Sequence, residues 1–232
     1  MIRLGLLYSL IWTCLYYTIN KKMTIPEKYI EKTGRFFLIS NYISFIHATI
    51  ISIFTGLTIL NNYDWEICSP LTMWQYHIVS LSFGYFSYDL YHRIFTKPDL
   101  MFALHHIVSL ICLYCVLTTE LYGRFIITAL FLGEVTNPFQ TIWYISKKTG
   151  LCKLEKFVFP IFFFSFTLIR CIIGPYIILN WGYKMIMNGC PVYYSLIISS
   201  GILLGSLGSV FWISKMNPFV FKKNNGWKRL VE

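Results

Sequence analysis

Seven apolar runs, most of them long enough to cross a hydrocarbon core as a helix, constrain this chain more than any other feature. They read Leu4–Ile19, Phe36–Leu60, Leu71–Phe95, Leu100–Thr119, Leu121–Ser146, Phe157–Leu179 and Pro191–Ile213. A helix needs about 20 residues, rising ~1.5 Å each, to span a core of ~30 Å, and the first and fourth runs are near the lower limit. Turn and charge signals divide the runs at Asn61-Asn62-Tyr63-Asp64, Lys97-Pro98-Asp99, Lys147-Lys148-Thr149-Gly150 and Asn188-Gly189-Cys190-Pro191. Because the runs are apolar all round rather than alternating at period two, they predict helices and not barrel strands. Of the 232 residues 56% are hydrophobic and 13% charged, more apolar surface than a soluble domain of this size can hide. The expected fold is all-α, a multi-pass transmembrane bundle of about seven spans.

The formal net charge of +10 would suit nucleic acid, but the basic residues form no single patch. They sit in short stretches between apolar runs, so no nucleic-acid partner is expected. If the chain alternates sides, one side receives Lys21, Lys22, Lys28, Lys32 and Arg35, then Arg93 and Lys97, then Lys147, Lys148, Lys153 and Lys156, and finally Lys215, Lys222, Lys223, Lys228 and Arg229. The other side receives only Arg3, Arg124 and Lys184. Lys and Arg are retained on the cytoplasmic side, which predicts a lumenal or external N-terminus and a cytosolic C-terminus. The first run lacks a basic n-region beyond Arg3 and a small-x-small cleavage site, and Lys21-Lys22 follows it at once, so it reads as an uncleaved helix. The organisation expected is an N-terminal helix and basic linker over 1–35, a membrane domain over 36–213 and a basic tail over 214–232. The basic segments are suited to anionic headgroups.

The seven cysteines follow neither a zinc module nor a secreted disulfide scaffold. Cys112 and Cys115 form a C-x-x-C inside an apolar run and read as packing sulfurs. Cys68 and Cys190 fall on the same, non-cytoplasmic side. A disulfide there fits an oxidising lumen, although nothing in the sequence fixes their separation.

Ionisable groups in a spanning helix are costly and usually face the bundle interior. Here they are His47, Asp89, His92, His105, His106, Glu134 and Arg170, with Asn137 beside them. Counting helical rise, Asp89 and His105 lie roughly 8 Å below the cytoplasmic boundary, and His47, Glu134 and Arg170 roughly 17–20 Å. Two polar layers follow from that count. Each has a structural alternative: Asp89 can pair with Arg93 one turn on, Glu134 with Arg170 as a buried ion pair, and His47 and His77 can be interhelical hydrogen-bonders. Adjacent His105 and His106 point about 100° apart, so one is suited to act and the other to orient. Asp89 would complete a metal-ligand set with them, but no H-E-x-x-H or similar spacing is present and no metal is expected. Pro138 removes a backbone donor and frees the carbonyl of Glu134, a break tolerated in lipid only where neighbours or water satisfy it.

Three stretches, Gly84-Tyr85-Phe86-Ser87-Tyr88-Asp89, His105-His106-Ile107-Val108-Ser109 and Leu132-Gly133-Glu134-Val135-Thr136-Asn137-Pro138-Phe139, carry a resemblance. In this order and spacing they resemble the TLC domain, which ceramide synthases, the translocation-associated TRAM proteins and a group of small TLC-domain proteins share. The resemblance implies six helices around a central cavity in an endoplasmic-reticulum-like membrane, handling long acyl chains. In ceramide synthases the histidine pair attacks or activates an acyl-CoA thioester, and a later His-Asp-x-x-Asp completes the site. The counterpart here reads Gly133-Glu134-x-x-Asn137, a departure at the motif that sphingoid-base N-acylation uses, and closer to the small TLC-domain proteins linked to phospholipid composition. On this resemblance His105, His106 and Asp89 are the expected catalytic residues. Glu134, Asn137, Arg170 and Tyr85 are the expected substrate-binding residues. Membrane lipids are the expected partners, and acyl-CoA would be a co-substrate, with no resident cofactor. A non-catalytic lipid-binding, cargo-receptor or regulatory protein is the other reading.

Overall fold

The computed structural model describes residues 2–61, 66, 68–96 and 100–221. The turn signals at 62–64 and 97–99, the basic tail residues Lys222, Lys223, Lys228 and Arg229, and the side chain of Lys215 lie outside the described residues. The elements are α1 (Ile2–Lys22), α2 (Glu27–Thr33), α3 (Arg35–Asn61), α4 (Met73–Thr96), α5 (Leu100–Thr119), α6 (Gly123–Glu134), α7 (Asn137–Thr149), α8 (Cys152–Phe166), a π-helical segment (Thr167–Ile173), α9 (Gly174–Met187) and α10 (Val192–Phe221). Among the described residues there is no strand.

Each apolar run forms helix, but the runs are not equivalent. Four helical stretches are long and apolar enough to cross a membrane by themselves: Arg35–Asn61, Leu100–Thr119, Cys152–Met187 and Val192–Ser214. In α4 the residues Gln75, Ser80, Ser82, Asp89 and His92 are buried, so its polar side chains face protein rather than lipid. The fifth run is broken into α6 and α7, which have 12 and 13 residues and are each too short to span.

Six segments contact one another in turn as a closed ring: α3, α4, α5, α10, the continuous stretch from α8 through the π-helical segment to α9, and α7. α6 runs inside it, touching α3, α4, α5, α7, α9 and the π-helical segment, and no residue from Gly123 to Thr136 is exposed. Between Arg124 and Glu134 this helix carries one polar side chain, Thr128, so it has no face suited to water and belongs in such a place. α1 packs outside the ring against α4, where an added Cβ at Gly84 would lie 2.6 Å from the Ser9 nitrogen and 2.7 Å from the Tyr8 carbonyl carbon. Only glycine lets the two backbones come this close.

One end of the bundle gathers three connections. Cys68 and Cys190 are disulfide-bonded with Cα atoms 5.9 Å apart, the Leu71 N–H donates to the Glu120 carbonyl at 2.7 Å, and the Tyr122 hydroxyl donates to the Pro191 carbonyl at 3.0 Å. At the other end the Lys32 ammonium donates to the Thr149 carbonyl at 3.3 Å, and Arg35 bonds the Asn20 side chain and carbonyl and the Met23 carbonyl. The basic linker and the basic α7–α8 connection therefore share an end, as the alternating reading of the runs requires.

Candidate functional site

Two proline-set irregularities place the polar side chains. The first ends α6 at Glu134. Pro138 has no N–H for the Glu134 carbonyl, so the chain turns at Val135 and Thr136 and restarts as α7 at Asn137. The second is the π-helical segment before Pro175. The Gly174 N–H bonds the Ile169 carbonyl five residues back, and an added Cβ on Gly174 would sit 2.9 Å from that oxygen. Such wide turns rotate everything before them, and Arg170 lies within this one.

The result is a chain of three side chains. Asn137 donates through Nδ2 to Glu134 Oε2 at 2.8 Å, and Arg170 donates through Nη2 to Asn137 Oδ1 at 2.6 Å. Glu134 and Arg170 thus meet through an amide rather than as a contact ion pair. An amide is suited to this because its NH2 serves the carboxylate while its oxygen accepts from the guanidinium. Arg170 also lies over the Phe166 ring, 4.9 Å from its centroid, and its Nε has no partner.

The second group joins α4 to α5. Asp89, 1% exposed, accepts through Oδ2 from Arg93 Nε at 2.5 Å and from His106 Nε2 at 3.1 Å. His106 Nδ1 lies 2.6 Å from the Phe102 carbonyl oxygen. Carboxylate and carbonyl only accept, so both bonds form when each ring nitrogen carries a proton. His106 then has no lone pair to offer. His105 is different: it is exposed, its ring stands 5.6 Å from that of His106 at 81°, and it makes no side-chain hydrogen bond among the described residues.

His47 joins the two groups. It is fully buried and stacked on Tyr85, with centroids 3.8 Å apart and planes 10° apart. Trp12 and Phe86 hold its edges, each 5.6 Å away. Its Nδ1 lies 3.8 Å from Glu134 Oε2, and neither ring nitrogen has a hydrogen-bond partner. The expectation of an interhelical hydrogen bond holds for His77, whose Nδ1 is 3.0 Å from the Tyr8 hydroxyl, and fails for His47, which packing holds instead. The Tyr85 hydroxyl donates to Ser44 at 2.8 Å. Phe86 contacts His47 on one side and His105 and His106 on the other, at 6.2 and 5.2 Å. Among the described residues, no group of three or more His, Cys, Asp and Glu side chains is gathered as a metal site would need.

Sequence reasoning therefore named the residues of both groups and missed two things. Trp12 of α1 covers His47, and the π-helical turn aims Arg170. The Gly174-Pro175 pair inside an apolar run was the available signal for the turn.

A ring of apolar helices with buried carboxylates, imidazoles and a guanidinium at its middle defines an integral membrane protein with a polar interior site. The TLC domain model matches residues 38–217, and the chain belongs to the TLC domain family. A TLC domain-containing protein of Arabidopsis thaliana is 24% identical over 142 residues, covering 57% of this chain and 56% of that protein. The chain thus spans little more than half the length of this curated relative. The family suggests a membrane-lipid-related function. α1, which walls His47, precedes the matched residues.

Proposed function

We propose that this protein transfers an acyl group from acyl-CoA to a lipid acceptor at His105. The observation that carries this reading is the contrast between the two histidines. His106 is bonded at both ring nitrogens, whereas His105 is exposed and has no side-chain hydrogen bond among the described residues. His105 is the imidazole with a lone pair to use. As the acceptor oxygen or nitrogen attacks the thioester carbonyl, His105 takes its proton. The new bond to the acyl carbon forms, the C–S bond breaks, and the imidazolium returns the proton to the departing thiolate. In the covalent variant His105 carries the acyl group between the two halves. Asp89 and His106 hold the neighbouring charge, and Arg170 is suited to a phosphate or an oxyanion through its unpartnered Nε. Glu134, Asn137 and Tyr85 line the acceptor side.

In the membrane this reading takes α1, α4 and the α6–α7 pair as spans beside the four apolar stretches, seven in all, six of them in a domain over 36–213. The cavity lies where α6 stops. An added Cβ at Gly133 would meet nothing within 4 Å, nor would one at Gly205 or Gly208 of α10. The N-terminus faces the lumen of an endoplasmic-reticulum-like membrane, and the basic linker and tail face the cytosol. A non-catalytic lipid-binding or regulatory protein is the second reading, favoured by the absence, among the described residues, of a hydrogen-bond partner that orients the His105 ring.

Purified protein incubated with labelled acyl-CoA and a panel of lysophospholipids and sphingoid bases tests the first reading. Product from wild type, and none from His105→Ala, supports it. No product with any acceptor, with co-purified lipid retained in His105→Ala, establishes the second.

A further inference from the structure

We propose that His47 and Glu134 together bind a hydroxyl group of the lipid head, beside Phe86, whose ring also contacts the histidine pair. This deepens the reading above by naming the chemistry of the bound lipid. His47 is fully buried, and both its nitrogens lack a partner. Buried polar groups in native proteins are bonded as a rule, and an exception needs an account. The ring cannot turn to find a partner, because Tyr85 stacks on its face and Trp12 and Phe86 close its edges. Its nitrogens therefore keep their directions.

One of them faces Glu134 Oε2 across 3.8 Å. That is too long for a hydrogen bond, yet an oxygen off the line between the two atoms can sit at about 2.8 Å from both. A carboxylate oxygen accepts more than one bond, so the Asn137 contact leaves capacity. The required group must give a proton to Glu134 and accept one from the imidazole N–H that faces it. A hydroxyl does all of this. An ammonium cannot accept, and a phosphate or carboxylate would meet Glu134 as a like charge. One further feature supports a ligand here: beside Glu134, the space at Gly133 is open.

The test uses the full chain in an amine-oxide detergent, which carries no hydroxyl itself. Binding of 1-monoacylglycerol is compared by native mass spectrometry with binding of the propyl ester of the same fatty acid, which lacks both hydroxyls. In wild type the ratio of the two should exceed that in His47→Phe by about tenfold, the worth of a buried hydrogen-bonded group. Phe keeps the stacking on Tyr85. Glu134→Gln, which keeps size and the Asn137 contact, should lower the ratio as well. Equal ratios in wild type and both variants, as when water alone fills the gap, overturn the proposal. A hydroxyl preference without acyl transfer to any acceptor leaves this binding point standing and sinks the transferase reading. Acyl transfer with equal ratios does the reverse.

Discussion

Asp89 and His106, on neighbouring helices, are bonded at 3.1 Å while Arg93 holds the same carboxylate oxygen at 2.5 Å. One carboxylate, 1% exposed, thus holds the Arg93 guanidinium and the His106 ring together. Removing it leaves both donors without their acceptor. Asp89→Ala should lower stability by about 3–5 kcal/mol, the cost of breaking a buried pair, and Asp89→Asn by less. Thermal unfolding of the three proteins in one detergent measures the difference. Equal midpoints would show that the pair contributes nothing.

The histidines should separate in the same assay. His106→Gln loses bonds at both ring nitrogens and should cost about 1–3 kcal/mol. His105→Gln replaces an exposed ring and should stay within about 0.5 kcal/mol of wild type. In the acyl-transfer assay the order should reverse in kind, with His105→Gln inactive despite its stability.

Among the described residues, Asn137 is the hydrogen-bonded link between Glu134 and Arg170. Asn137→Leu is nearly isosteric and strips both of a partner, which should destabilise by about 2–4 kcal/mol. In the Glu134→Gln background the same change should cost less, because the amide then serves one charged partner, Arg170, instead of two. A double-mutant cycle reads this directly. Additive effects would place the bridge outside the energetics.

Gly84→Leu should push α1 off α4, because the atoms it would strike at 2.6–2.7 Å are backbone and Cβ of Tyr8 and Ser9. A cost of about 1–3 kcal/mol is expected. Hydrogen exchange in α1 should rise, and the Trp12 Nε1 bond to the Leu81 carbonyl at 3.2 Å should be lost. Indole fluorescence follows the latter.

Gly174→Ala tests the π-helical turn. Its methyl would stand 2.9 Å from the Ile169 oxygen, favouring ordinary helix and rotating Arg170 away from Asn137. Asn137→Leu should then cost less in the Gly174→Ala background than in the glycine parent, a difference that a double-mutant cycle reads.

Much of this was readable in the residues themselves. Charge inside an apolar run is costly enough that Asp89, His106, Glu134 and Arg170 had to face inward, whatever the tertiary details. The alternating placement of Lys and Arg put the basic linker and the α7–α8 connection at one end, where Lys32 bonds the Thr149 carbonyl. Other features leave no trace in hydropathy. α6 is as apolar as a lipid-facing helix, so its place inside the ring depends on what surrounds it. The link through Asn137 follows from backbone turns that shift register by a fraction of a residue. An imidazole in a helix does not reveal whether a hydrogen bond or packing holds it, which is why His47 was misjudged. The partnership of Cys68 with Cys190 needed their 5.9 Å separation.

The enclosed position of α6 also has a consequence for biosynthesis. The ring around it closes only where α10 meets α5, at a seam where an added Cβ on Gly201 would sit 2.4 Å from the Cys112 sulfur. α10 follows every other ring element in the chain and so leaves the ribosome after them. Until it docks, the nascent chain presents a ring open along one side. A chain arrested before α10 should therefore be held by membrane chaperones or degraded, while a chain that includes α10 passes quality control.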